Sequence, residues 1–472
     1  MKRFLITLTL GLCIPSFVEP QPPAVLEPEV RRTAEALRER AFAGSQAARW
    51  VQDLTDHVGP RLTGSPGDAA AVSWALEKLR ALGFTRVHAE KVVSHVWKRG
   101  IETGEVTSPF AQRLVLTALG GSVSTPPDGI EAEVVELPSL EALQAQSAAV
   151  QGKIVFFNKR MVRTENGLGY TTAVDVRSHG PARAAKLGAV AVLIRSIGTD
   201  HNRTPHTGGT NYEEGVSKIP AAALSIPDSE LLERLLQEKK PVRVRLTLTC
   251  HDDADAETAN VIGEVAGRDK PEEVVLLGAH LDSWDLATGA IDDGAGCGIV
   301  IEAARLVGEL PRHPHRTVRV VLYANEEHGL AGGNGYRQAH AAELARHAAA
   351  LEADSGTDSP TALTWNAGPT AEPLVREIAA LLAPVGAGRI LPHSFGGADI
   401  GPLRQEGVPV FSIQQDSSRY FDYHHTANDT FDKIAPASLD RMVAAVAAFA
   451  YIAAETPQPL ERIPPENRKA AE

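Results

Sequence analysis

Cysteine is scarce in this chain: three in 472 residues, at Cys13, Cys250 and Cys297. So few exclude a disulfide framework, and their spacing is not that of a thiolate metal site. Cys250 and Cys297 read as two small buried thiols. Basic residues are also in deficit, with 47 Lys and Arg against 59 Asp and Glu and a net charge of −12. That balance excludes a nucleic-acid backbone as partner, because phosphate binding needs clustered cations. Long apolar runs are missing except at the N-terminus, "MKRFLITLTLGLCIPSFVEPQPP". Lys2 and Arg3 precede a stretch from Phe4 to Val18 that is too short to span a bilayer, and a proline-rich exit follows. Residues 1–20 therefore read as a secretory signal peptide. Leu12 is too bulky for a lipoprotein cleavage site before Cys13. The mature protein is expected to be exported, secreted or periplasmic, with no integral membrane segment.

What remains is a globular composition, 43% hydrophobic, long enough for two or three domains and without internal repeats. Residues 27–108 carry helical periodicity, a turn-rich break at "PRLTGSPGDAA", a second helix and a strand. From Pro109 to Cys250 short β-type runs such as "GIEAEVVEL", "GKIVFFNK" and "VAVLIRS" alternate with turns and helix-like stretches, as expected of a β-rich unit inserted into another domain. Its removal is expected to alter substrate range or assembly rather than metal content. Over 251–456 apolar strands alternate with helices: "EEVVLLGAH", then "GCGIVIEAARLVGEL", then "RTVRVVLYANEE", and onward to "VPVFSIQQ". This rhythm predicts an α/β fold with a mostly parallel sheet sandwiched by helices. A helix is predicted over "AAELARHAAA", an amphipathic one over "SLDRMVAAVAAFAYIAAE", and a loose polar tail over 457–472.

In open parallel sheets ligands bind beyond the carboxyl ends of the strands, and here candidate ligands fall there repeatedly. "VVLLGAHLD" delivers His280 and Asp282, "VVLYANEE" delivers Glu326 and Glu327, and "ALEAD" delivers Asp354. A glycine-rich turn between the first two carries Asp292 and Asp293, and "YFDYHHTANDT" offers His424 and His425. Each has a bland alternative. His280 alone could be a core histidine, Asp293 more readily than Asp292 a helix cap, Asp354 a turn former, and His424 and His425 solvated loop residues. Gathering all of them without a cation is costly. Imidazole mixed with carboxylate suits zinc, and two ions sharing a carboxylate, roughly 3.5–4 Å apart, would use the whole set. Asp282 is suited to hold the second ring nitrogen of His280.

The runs "GAHLDSWDLATGAIDDGAG", "NEEHGLAGG", "EADSGTD" and "HHTANDT", in that order, resemble the M28 family of co-catalytic zinc exopeptidases. The inserted segment is similar to a protease-associated domain, and "RAAKLGAVAVLIRSIG" and "TPHTGGTNYEEGVSKIPAAAL" look most like a carboxypeptidase-type branch of the family. The resemblance implies two zinc ions per chain. His280, Asp292 and Asp354 would hold one and Asp292, Glu327 and His425 the other, with Glu326 as general base. His425 fits the family pattern of His, three residues, then Asp-Thr. Relatives place a tyrosine directly before that histidine as oxyanion donor. Here His424 stands in its place, with Tyr423 one further back, so His424 is the expected donor. Peptide substrates, dipeptides or short peptides with free ends, are implied, and a homodimer is compatible. An aminopeptidase acting on longer peptides is the alternative, with a metal-free receptor or a single-zinc cyclase behind it. Ser394 and Asp399 are candidate contacts to a substrate terminus, and Arg404 reads as a surface residue.

Overall fold

The computed structural model describes residues 26–457 and 460–469; the expected signal peptide lies outside them. Two eight-stranded sheets organise the chain. The first has four parallel strands at its centre, Arg316–Tyr323, Lys270–His280, His347–Glu352 and Val410–Gln415, in that spatial order. Antiparallel neighbours flank them: His251–Val265 and Thr85–Lys98 on one side, Pro360–Asn366 with Arg389–Pro392 on the other. The central strands are apolar on both faces. Val275 and Leu277 enter one core with the helices Pro28–Phe42, Ala47–His57, Ala295–Gly308 and Pro436–Glu455, whereas Val274 and Leu276 face a second core with Tyr336 and Leu403. Successive strand residues point to opposite faces, so a continuous apolar run is what a sheet covered on both sides requires.

The second sheet is built wholly from strands between Glu102 and Leu248, with a parallel centre of Ile130–Leu137, Ile154–Phe157, Ala191–Arg195 and Ala221–Leu224. Gln112–Leu114 and Leu116–Ala118 occupy its two opposite edges though only Val115 separates them, so the sheet curls until its edges meet. The chain passes between the two sheets through a two-stranded ribbon. Thr85–Lys98 leads out and His251–Val265 returns, paired from Thr85 opposite Glu264 to Lys98 opposite His251.

Several elements differ from expectation. The helix expected over "AAELARHAAA" is absent. Helix Ala331–Ala339 precedes that segment, a single 3₁₀ turn covers Leu344–Arg346, and His347–Glu352 is a fully buried central strand. Alanine leads the helix propensities, but burial between two strands overrides it. Helix Pro436–Glu455 is a core helix rather than an amphipathic one, buried at every residue from Met442 to Glu455. It is the one helix among the described residues long and apolar enough to cross a bilayer, and 78% of its apolar window lies inside the protein. The described part of the tail is docked, with Ile463 fully buried and Arg468 Nε donating to its carbonyl. Cys250 and Cys297 are both free and buried.

Candidate metal centre and active site

The parallel strands end on one edge of the first sheet, and the chemistry collects there. His280 is the last residue of its strand. Glu326 and Glu327 follow the strand ending at Tyr323, and Asp354 follows Glu352. Asp292 arrives from the turn before helix Ala295–Gly308. That helix starts hard against the neighbouring strand end: a Cβ on Gly296 would lie 1.8 Å from the Ala353 carbonyl oxygen, so glycine permits the approach. Asp293 takes the capping role, accepting from Gly296 N–H at 2.8 Å, and also from His280 N–H at 3.1 Å. The Asp292–Asp293 peptide is cis.

The two oxygens of Asp292 face different histidines. Oδ1 lies 3.1 Å from His280 Nε2, and Oδ2 lies 3.3 Å from His425 Nε2. Asp354 Oδ1 lies 3.7 Å from His280 Nε2, and Glu327 Oε2 lies 3.0 Å from His425 Nε2. Two triads thus share Asp292. A tetrahedral ion with bonds of about 2.0 Å has donor–donor edges of about 3.3 Å, which is the scale of these separations. Asp292 Oδ2 and Glu327 Oε1 are buried without a hydrogen-bond partner. Unpaired carboxylate oxygens beside imidazole nitrogens form a donor set that suits a borderline dication such as zinc.

Electrostatics follow from the crowding. Burial pushes the Asp292 carboxyl up, but the hydrogen bond from His280 and the closely facing His425 and His424 outweigh it and hold it well below the usual carboxylate range. Burial drives Glu326 well above that range, and the charges of Asp354, Glu327 and Asp292 push the same way. Burial and the facing His425 hold His424 well below the ordinary imidazole value.

The supports differ in part from expectation. His280 Nδ1 is held by the main-chain carbonyl of Asp282 at 3.1 Å, with the carboxylate further off at 3.7 Å. The Asp282 carboxylate instead accepts from Glu326 N–H at 3.0 Å and Glu327 N–H at 3.4 Å, so it fixes the loop that carries both glutamates. Asn325, just before them, sits at φ +61°, as does His425, conformations that non-glycine residues hold only when their surroundings impose them. His424 stacks on His425 with ring centroids 3.5 Å apart, and its Nδ1 is buried without a partner. Asp292, His424 and His425 also present donor atoms within 4.8 Å of one another. Tyr423 turns away, its hydroxyl accepting from Arg419 Nη2.

Other sequence candidates fall outside the pocket. Asp399 is completely buried, with both oxygens unpaired, and is closed off from substrate. Burial and the charges of Glu352 and Glu326 raise its carboxyl well above the usual range. Ser394 is loop structure, its Oγ bonded to Thr364 Oγ1 and to Gly396 N–H. Arg404 is buried under the Phe395 ring, not on the surface.

Residues that the sequence reading passed over brace the site. Arg61, fully buried, donates to the carbonyls of Leu281, Thr288 and Gly289 and so pins the turn leading to Asp292. Asp429 accepts from Ile291 N–H at 2.6 Å and Asp292 N–H at 3.1 Å; the "HHTANDT" motif had offered it. A loop from the second sheet closes over the histidines. Thr207 N–H donates to the His425 carbonyl at 2.9 Å, and His425 Nδ1 donates to the Thr207 carbonyl at 3.3 Å. His206 Nδ1 donates to the His424 carbonyl at 2.8 Å, while its Nε2 meets Asp200 at 2.8 Å. The pocket between the sheets, about 620 Å³, is lined from both sides: Tyr170, Arg177 and Asn211 face Glu326, Asp354, Tyr420 and His424.

A carboxylate-bridged pair of imidazole–carboxylate triads at the strand ends of a helix-covered α/β sheet defines a metallopeptidase of the exopeptidase type. Residues 260–450 match Peptidase family M28. The chain is 36% identical to carboxypeptidase Q of Mus musculus over 409 residues, 87% of this chain and 86% of that protein. A solved peptidase M28 precursor from Shewanella amazonensis SB2B superposes with a TM-score of 0.90 at 46% identity, covering 93% of this chain and 99% of that one. A zinc aminopeptidase from Bacillus subtilis shares the fold, with a TM-score of 0.63 at 20% identity over 87% of this chain and 94% of that one. The chain belongs to peptidase family M28.

Proposed function

We propose that the protein is an exported two-zinc exopeptidase that hydrolyses dipeptides and short peptides with free ends. The observation that carries this reading is Asp292, whose two oxygens are each turned to a different histidine. His280, Asp292 and Asp354 would hold one ion, and Asp292, Glu327 and His425 the other. Bound zinc would supply Lewis-acid polarisation of the scissile carbonyl and acidify a water between the ions. Glu326 has no role as ligand and lines the pocket beside Asp292, Glu327 and Asp354. It takes the proton of the attacking water and passes it to the leaving amine. His424, kept neutral and lining the pocket, is suited to donate to the developing oxyanion. The second sheet is read as the protease-associated-like insert, and its Tyr170 and Asn211 give the pocket its outer wall. The zinc named for the Bacillus subtilis enzyme and the carboxypeptidase activity named for the mouse relative agree with this reading.

The test is Glu326→Gln. It removes the base while leaving all five donors, so hydrolysis of Ala-Ala should fall at least 10³-fold with zinc content held at two per chain. His280→Ala should lose metal. Near-full activity in Glu326→Gln would refute the assignment of the base. An active enzyme free of metal would refute the centre itself.

A further inference from the structure

We propose that Arg163, contributed by the second sheet's unit, is a positioning residue for the metal position framed by Asp292, Glu327 and His425. The ion there is the more readily lost of the two. This rests on the two-ion reading above and names which ion the second unit governs. The two positions differ in how the chain holds their histidines. His280 ends a central strand, paired with Tyr323 on the neighbouring strand, and Ala353 N–H, just before Asp354, donates to the Gly278 carbonyl at 2.9 Å. That position is built on the sheet itself. His425 instead ends a segment, 417–425, whose main chain, among the described residues, has no hydrogen bond to the strands or covering helices of the first sheet.

The second unit grips that segment along its length. Ser417 N–H donates to the Glu165 carbonyl at 2.7 Å, and Thr199 N–H donates to the Phe421 carbonyl at 3.0 Å. The His424 and His425 carbonyls are taken by His206 and Thr207. Arg163 is the centre of this strap. Its Nη1 and Nη2 donate to the two Asp422 oxygens at 3.0 and 2.6 Å, and the same nitrogens reach the Ser418 and Thr199 carbonyls. Thr199 Oγ1 adds a bond to Asp422 at 2.8 Å. One guanidinium thus ties Thr199 in the second unit to Ser418 and Asp422 in the segment. An exposed ion pair contributes little by itself, and the Arg163 side chain is 43% exposed. A two-bond fork that also holds two carbonyls, however, fixes shape. Shape matters here because His425 sits at φ +61°, a conformation that persists only while its surroundings impose it. Loosening the strap lets the segment relax, and ordering His425 again then opposes ion binding.

In the experiment the zinc-loaded enzyme is dialysed against chelator buffers of falling free zinc, and zinc per chain is measured with the melting temperature in parallel. The wild type should lose its ions in two steps. Arg163→Met should move the first loss to about tenfold higher free zinc and leave the second within about twofold. Arg163→Lys should move the first loss less. His425→Ala should hold a single ion down to the wild type's second step, and adding Arg163→Met to it should change nothing. An Arg163→Met enzyme with both steps in place overturns the proposal. So does one in which both steps move alike, because the guanidinium would then act on the fold as a whole. Loss of both wild-type ions in a single step, or a His425→Ala ion that leaves at the wild type's first step, overturns the order of loss. A wild type that holds no zinc, or one ion only, refutes the two-ion reading itself, a separate result.

Discussion

Asp282→Asn separates a positioning carboxylate from an inert one. The side chain is 1% exposed and accepts from Glu326 N–H at 3.0 Å, Glu327 N–H at 3.4 Å and Thr63 Oγ1 at 3.4 Å. Asparagine keeps the shape and one oxygen, which can still serve Glu326. Its amide group then confronts the Glu327 N–H, donor against donor. A charge-assisted bond contributes roughly 1.5–3 kcal/mol, and a buried unsatisfied donor costs about 1–3 kcal/mol. The combined strain, about 3 kcal/mol, falls on the loop that sets Glu326 and Glu327. Since 1.4 kcal/mol is a factor of ten in rate, a share of that strain reaching the transition state lowers kcat by roughly 10–100-fold, the range seen for residues behind metal ligands. The assay is kcat on Ala-Ala at saturating zinc, with zinc affinity from competition against a chelator and the melting temperature taken in parallel. A variant with kcat and zinc affinity both within twofold of wild type would refute the reasoning.

His206→Phe should weaken zinc binding about tenfold by loosening the Thr207–His425 pairing, and should destabilise the fold by about 3 kcal/mol because buried Asp200 loses the partner of its Oδ1 and keeps only the Asn202 N–H on Oδ2; chelator competition and urea unfolding report the two effects. This runs against the expectation that the inserted unit is separable from the metal content, and unchanged zinc affinity would restore that view. His347 is buried, and burial lowers its imidazole to about 4. Between about pH 6.5 and 4 the unfolded chain binds the extra proton, so this contribution is complete above 6.5 and disappears as pH falls through 4. His347→Gln should shrink the acid loss of stability in that window by up to about 3 kcal/mol, read from urea unfolding at pH 7 and pH 4.

The strand-end donors were legible because each is local. A short apolar run followed at once by His280, Glu326 with Glu327, or Asp354 marks both the strand and its ligand in under ten residues. Asp292 and Asp293 could be sorted in advance because helix capping is a local rule, and Asp293 does cap. What could not be read depends on surfaces meeting from distant parts of the chain. His206 and its partner Asp200 lie in a β-rich stretch where a polar residue usually faces water, and nothing nearby marks His206 as bonding the backbone of a histidine more than 200 positions later. Arg404 was misread for the same reason, since the Phe395 ring that covers it comes from a separate loop. The first half of the strand His347–Glu352 was hidden by its alanines, whose intrinsic preference is helical and whose actual neighbours are two parallel strands.

The paired ribbon of Thr85–Lys98 and His251–Val265 is one tether between the two halves, and the Thr207–His425 bonds are a second clasp on the far side of the cleft. A body held at two such points cannot gape without unfastening one of them. Opening the cleft on this side therefore means breaking the Thr207–His425 pair, which would also free the carbonyl and Nδ1 of His425.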